Sequence, residues 1–371
     1  MVSRFRRVVL LGLSCTLLFS VGLVLADNGP NHQSLQALPI SLGTSGGNVH
    51  NITRRFCCSG TLGALVTDGT NQFILSNNHI LADTDTAAVG DEISQPGLVD
   101  VGCNASLASP VATFTSAPPL GTKNVDAALA QVVTGAVKTN GDILDVGIPS
   151  STTATPGVGV PVTKSGRTTG QTCATIGAVN MNVLVQYQRS CGKGRKFTIL
   201  YVNQVAVNSP SFSAGGDSGS LIVTQSAAQP VGLLFAGSST TTIANPIGDV
   251  TTALGVTFVG GSDHAATCPG AAGVATGAAA RGPLTGSVGR ALLAKEKHAE
   301  RLMQDEAVIG VGVGADPNDP SEAVVVIYLE QGRVHGPIPP ELDGVRTHIV
   351  RTDAFQAFGW NEPPARPCSA R

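Results

Sequence analysis

From residue 58 to residue 236 the chain is written as short apolar runs separated by turn residues, and this rhythm restricts the fold more than any other feature. Residues 58–67 read as a strand, Asp68-Gly69 as a hairpin turn and 72–76 as the returning strand. Residues 90–97 give a strand and turn, and short strands continue through 111–114 and 125–131. A stretch rich in Pro, Thr and Gly, 148–162, has no long helical pattern. Six more runs surround or follow it: 160–169, 172–179, 182–188, 196–207, 219–224 and 231–236. Many short strands with frequent turns bury their apolar faces by closing on one another. The expected architecture is therefore mostly β, with two six-stranded antiparallel barrels and 148–162 as the crossover. Charged residues make up only 13% of the chain and glycine is plentiful, at 45 residues, which fits a secreted β-rich protein.

Within the second group lies Gly215-Gly216-Asp217-Ser218-Gly219-Ser220, followed by the apolar run Leu221-Ile222-Val223. Glycines on both sides let the backbone turn tightly. Such a turn exposes the Ser218 hydroxyl and gathers consecutive N–H groups into one concavity, which suits a nucleophile and its oxyanion hole. In isolation the hexapeptide is also what a polar loop before a strand looks like. A serine nucleophile needs a base, and the base needs an orienting partner. His79 closes Phe73-Ile74-Leu75-Ser76-Asn77-Asn78-His79, a buried strand ending in a polar turn. The other histidines are poorer candidates. His32 and His50 sit in a Gly/Asn-rich leader, His264 in a linker, and His298, His335 and His348 in a different domain. Asp126 opens the apolar run Ala127-Ala128-Leu129-Ala130, where a carboxylate needs partners and an imidazole N–H is a good one. A structural His at a strand end and a capping Asp are the alternatives.

The order His79, Asp126, Ser218 and its spacings resemble the chymotrypsin-like (trypsin-fold) serine peptidases, in the secreted bacterial form. Ser76-Asn77-Asn78-His79-Ile80 resembles that family's His motif, Asn124-Val125-Asp126-Ala127-Ala128-Leu129 its Asp motif and Gly216-Asp217-Ser218-Gly219-Ser220 its Ser motif. Ser165-Gly166-Arg167-Thr168-Thr169-Gly170 looks like a strand found in the same members, so the resemblance covers about residues 40–258. It implies an endopeptidase acting through an acyl-enzyme on protein or peptide. Ser218 would be the nucleophile, His79 the base and then acid, Asp126 the orienter, and the N–H groups of Gly216 and Ser218 the oxyanion hole. The primary pocket would be formed by Phe212 and Ser213, with Phe235, Ala236 and Gly237 as the wall that pairs with substrate backbone. Phe212 either floors that pocket or fills it. With no carboxylate in either segment, a small or apolar P1 side chain is expected rather than Arg or Lys. Animal-type members are switched on by a freed N-terminus that pairs with the Asp before the nucleophile. No signature for that cleavage is present, so Asp217 needs another partner.

The remaining sequence frames this domain. Arg4, Arg6 and Arg7 precede an apolar run, 8–25, and Val24-Leu25-Ala26 supplies a cleavage site, so 1–26 reads as a signal peptide and the protein as secreted or periplasmic. Cleavage would remove three arginines and no acid, moving the formal net charge from −2 to −5, and nucleic acid is not an expected partner. No later run is long and apolar enough to span a membrane, so no stable membrane association is expected after cleavage. Residues 27–48 read as a flexible leader, 49–259 as the peptidase domain, with a short helix over 245–254, and 260–286 as a Gly/Ala-rich linker. Residues 287–371 read as a small α+β domain. Its helix would bury Leu292, Leu293, His298 or Ala299, Leu302 and Met303, and a helical turn is expected over 337–342. Seven cysteines lie beyond the signal, and export favours disulfides. Expected pairs are Cys173 with Cys191, one of Cys57 and Cys58 with Cys103, and Cys268 with Cys368. No Cys or His cluster suggests a metal, and no cofactor is expected. The competing function is an idle or latent binding module of the same fold, regulated by the C-terminal domain or by homo-oligomerisation.

Overall fold

Short strands with buried inward faces build two large sheets and a two-stranded ribbon among the described residues. A computed structural model of the chain describes residues 31–268, 287–357 and 366–367. The expected signal segment, most of the 260–286 linker and Cys368 lie outside them.

The first sheet has eight strands. Their spatial order is Thr257–Phe258, Ala64–Thr67, Gln72–Ser76, Ala128–Val132, Ser109–Ser116, Glu92–Gln95, Thr44–Asn48 and Gly60–Leu62. It closes around Leu65, Ile74, Leu75, Val111 and Leu129, all at most 4% exposed. Residues 31–48 correct the expectation of a flexible leader. Ile40 and Leu42 are fully buried in this core, and Thr44–Asn48 pairs with Gly60–Leu62 on one side and Glu92–Gln95 on the other. The strand reads Thr-Ser-Gly-Gly-Asn and carries no apolar side chain, so periodicity could not reveal it.

The second sheet has twelve strands. Seven come from residues 161–246: Pro161–Gly166, Gly170–Thr175, Ala178–Ser190, Lys193–Val207, Leu221–Thr224, Pro230–Gly237 and Thr242–Pro246. The chain is mostly β with barrel-like sheets, as the trypsin-like resemblance implies, but the strand counts are eight and twelve. Asn245 and Pro246 end a strand, and the helix begins only at Ile247.

The count of twelve arises because the long hairpin Ala178–Ser190/Lys193–Val207 does not end the sheet. Val308–Ala315 pairs with Ala178–Ser190, Ala323–Glu330 pairs with Val308–Ala315, and Val345–Thr352 runs parallel to Ala323–Glu330. Glu341–Leu342 adds the rim where a helical turn was expected, and Phe355–Gln356 supplies the last strand. The helix Val288–Leu302 covers these C-terminal strands with much of the expected face: Ala299 and Leu302 are buried there, and Leu292 and Met303 pack against the same core. Ala291, Ala294, Lys295, Ala299 and Leu302 are buried, while Leu293 is 69% exposed. Small alanines let the helix lie close to the sheet. The Lys295 stem runs inward and its ammonium donates to Asn182 Oδ1 on the hairpin at 2.7 Å. None of the helices among the described residues is long and apolar enough to cross a membrane.

Among the described residues three disulfides join Cys57 to Cys103, Cys58 to Cys191 and Cys173 to Cys268. The first agrees with expectation. Cys173 does not pair with Cys191 nor Cys268 with Cys368, because Cys191 sits at the hairpin tip beside the 56–58 segment and residues 260–268 fold back to the edge strand Gly170–Thr175.

Candidate active site

The register of the first sheet brings His79 and Asp126 together. Ser76 lies opposite Ala128, so the residues just beyond one and just before the other meet at the sheet's end. A one-turn helix, Asn78–Leu81, starts there and carries His79. Asn77 donates from its side chain to the Asp126 carbonyl at 2.8 Å, tying the two ends. His79 Nδ1 is 2.6 Å from Asp126 Oδ2, and the His79 backbone N–H donates to Oδ1 at 3.3 Å. The Asp126 backbone N–H donates to Asn245 Oδ1, whose amide is held by Gln204. Asp126 is fully buried. With Nδ1 engaged by the carboxylate, the buried His79 Nε2 has no hydrogen-bond partner among the described residues.

A residue that sequence reasoning missed completes the carboxylate's shell. The Tyr187 hydroxyl donates to Asp126 Oδ2 at 2.9 Å and lies 2.8 Å from the Tyr201 hydroxyl. Burial, and then the Asp126 charge, push the Tyr187 phenol well above its ordinary value, so it stays a proton donor. Tyr187 comes from the hairpin, and nothing in the sequence links it to Asp126. Tyr187→Phe leaves that oxygen one donor short, a loss of about 1–3 kcal/mol at a buried group. On a peptidase reading, we expect kcat to fall about tenfold with KM for a peptide substrate unchanged. A rise in KM with kcat preserved would show that Tyr187 does not act through Asp126.

The Ser218 loop is held from below by the second sheet. Asp217 is fully buried and its carboxylate accepts from the backbone N–H groups of Thr168, Thr169 and Ala214 at 2.8, 3.1 and 3.0 Å, and from the Thr169 hydroxyl at 2.7 Å. The missing cation is Lys164, also fully buried, with Nζ 3.6 Å from Asp217 Oδ2 and 2.8 Å from the Gly170 carbonyl. Burial holds the Lys164 ammonium below its ordinary range, and the Asp217 charge opposes that shift. Arg167, the first residue of the adjoining turn, is instead clamped by Asp100 through bonds of 2.7 and 2.6 Å. Thr61 then seals the loop to the first sheet, its hydroxyl donating to the Gly216 carbonyl and its N–H to the Ser218 carbonyl.

Gly216 sits at φ +98°, in the region that favours glycine, and a Cβ there would collide with the side chains of Thr168 and Arg167. The N–H groups of Asp217, Gly219 and Ser220 make backbone hydrogen bonds, whereas those of Gly216 and Ser218 make none among the described residues. Ser218 Oγ lies 3.5 Å from the Phe235 carbonyl, too long for a strong bond.

Of the expected pocket residues, Phe212 is fully buried in the second core with Val158, Val162, Ile176, Ile222, Val231 and Leu234. Ser213 contacts the Thr242 hydroxyl. Phe235 packs on Tyr201 with ring centroids 5.0 Å apart, and Ala236 and Gly237 follow on the same buried strand. Among the described residues no group of His, Cys, Asp and Glu side chains could hold a metal ion.

No family model and no curated protein matches the chain. Among solved structures, it is similar to bacterial chymotrypsin-like serine proteases. One is a glutamic acid specific serine protease reported to use a histidine triad in substrate binding, with 24% identity and a TM-score of 0.42 over 59% of this chain and all of that one. A second is alpha-lytic protease homolog N4, with 21% identity and a TM-score of 0.41 over 59% of this chain and 98% of that one. A third is Thermobifida fusca protease A, with 19% identity and a TM-score of 0.37 over 58% of this chain and 98% of that one.

Proposed function

We propose that the chain is an exported serine endopeptidase that cleaves peptide bonds through Ser218, His79 and Asp126. The observation that carries this reading is the 2.6 Å contact between His79 Nδ1 and a fully buried Asp126, with no hydrogen-bond partner for His79 Nε2 among the described residues. A carboxylate so placed fixes the imidazole tautomer and stabilises the imidazolium formed when Nε2 takes a proton from a hydroxyl. Ser218 supplies that hydroxyl and adds to the scissile carbonyl. The imidazolium then protonates the leaving amine, and water releases the acyl group by the same path. The N–H groups of Gly216 and Ser218, which make no backbone hydrogen bond among the described residues, suit the developing oxyanion. Lys164 takes the place of a freed N-terminus as the partner of Asp217, so the loop needs no cleavage to be held in shape. Three disulfides favour export to an oxidising compartment. Phe212, Ser213, Phe235, Ala236 and Gly237 bring no carboxylate, which favours a small or apolar P1 side chain over Arg or Lys.

The test is reaction with a small fluorophosphonate followed by peptide mapping. One adduct, on Ser218, is expected. A folded protein that takes no label, or takes it elsewhere, would indicate an idle module that keeps the fold.

A further inference from the structure

Catalytic groups that must meet a peptide are almost inaccessible here: Ser218 is 3% exposed and His79 8%. The C-terminal strands reach the strand expected to pair with substrate backbone. After Val345–Thr352 the chain turns and lays Phe355–Gln356 between two strands of the peptidase region. On one side Gln356 pairs antiparallel with Gly237, at the end of Pro230–Gly237. On the other, Phe355 and Gln356 pair parallel with Val185 and Gln186, and the Ala357 N–H donates to the Gln186 carbonyl at 3.0 Å. Thr352, fully buried, is fastened by its hydroxyl to those of Ser238 and Thr240 at 2.6 and 2.7 Å. The Phe355 ring is fully buried with Phe235, Ala236, Tyr187 and Tyr201, and meets Tyr328 edge-on at 5.8 Å.

Strand addition to a sheet edge needs that edge's backbone groups unpaired, and one edge takes one strand at a time. We propose that residues 355–357 are the resident occupant of the edge at Gly237, and that an extended peptide substrate binds there only by displacing them. This rests on the peptidase reading and adds its regulation. The C-terminal region is then an intramolecular competitor for the site. Its grip is local: a two-residue strand, one threonine and one phenylalanine. Because the competitor is tethered, its effective concentration is in the millimolar range, on the order of a weak substrate's KM.

The experiment uses the full chain and two Ser218-directed phosphonates, one carrying a single residue and one a tetrapeptide. The shorter needs only the serine and its immediate surroundings, whereas the longer also needs the edge. On the wild type, both are expected to react with Ser218 at rates within about twofold of each other. The variant Gln356→Pro/Ala357→Pro removes two N–H donors and cannot hold the strand. On it the tetrapeptide reagent should react about tenfold faster than the shorter one. A wild type that already reacts about tenfold faster with the tetrapeptide would overturn the proposal while leaving the peptidase reading intact, and this arm needs no variant to fold. Failure of both reagents on both folded proteins would remove the peptidase reading and the proposal together.

Discussion

Lys164→Met is expected to destabilise the protein by about 3–5 kcal/mol, measured by denaturant unfolding of the full chain. The magnitude follows from burial. Lys164 and Asp217 are both inaccessible, and methionine matches the lysine stem while leaving a buried carboxylate without its cation. The hydrogen bonds from Thr168, Thr169 and Ala214 satisfy that carboxylate but do not neutralise it. Strain should pass into the segment from Ala214 to Ser218 and slow fluorophosphonate labelling. The double variant Lys164→Met/Asp217→Asn, which buries no charge, should regain much of the stability. If it is no more stable than the single variant, the pair is not what holds the loop.

The second large effect is on turnover. Ser218→Ala should lower kcat by about 10⁶-fold, as loss of a triad nucleophile does. Asp126→Asn should lower it by about 10⁴-fold, since an amide in place of Oδ2 favours the wrong imidazole tautomer. Ser218→Ala should leave the melting temperature unmoved, since among the described residues its hydroxyl makes one long hydrogen bond. Asp126→Asn should melt lower, because Tyr187 would lose a charged acceptor. A Ser218→Ala protein that hydrolyses peptides above a buffer blank would end the triad assignment. Both measurements belong on the form in which residues 355–357 have been displaced.

The sequence is legible where chemistry and local backbone coincide. Ser218 stands between glycines that its turn requires, and His79 and Asp126 stand at the ends of apolar runs that register then brings together. It is opaque where a partner arrives from a distant strand. Lys164 lies within an ordinary β run, and only the sheet places it under Asp217. Tyr187 alternates in and out along a long hairpin like any core tyrosine. Thr44–Asn48 is invisible because backbone pairing, not side chains, makes it a strand. The helix Val288–Leu302 is legible in part: Leu292, Ala299, Leu302 and Met303 meet the C-terminal core as their spacing suggests, whereas Leu293 turns outward and Ala291 and Ala294 lie buried instead.

The three disulfides among the described residues all fall between Cys57 and Cys268, ahead of the helix that begins at Val288. A single backbone cut between residues 268 and 287 would therefore leave residues 287–357 attached by strand pairing and side-chain packing alone. The competitor would cease to be tethered and would acquire an ordinary dissociation constant. Dilution would then release it, and the protein's own concentration would decide how much of the population is open.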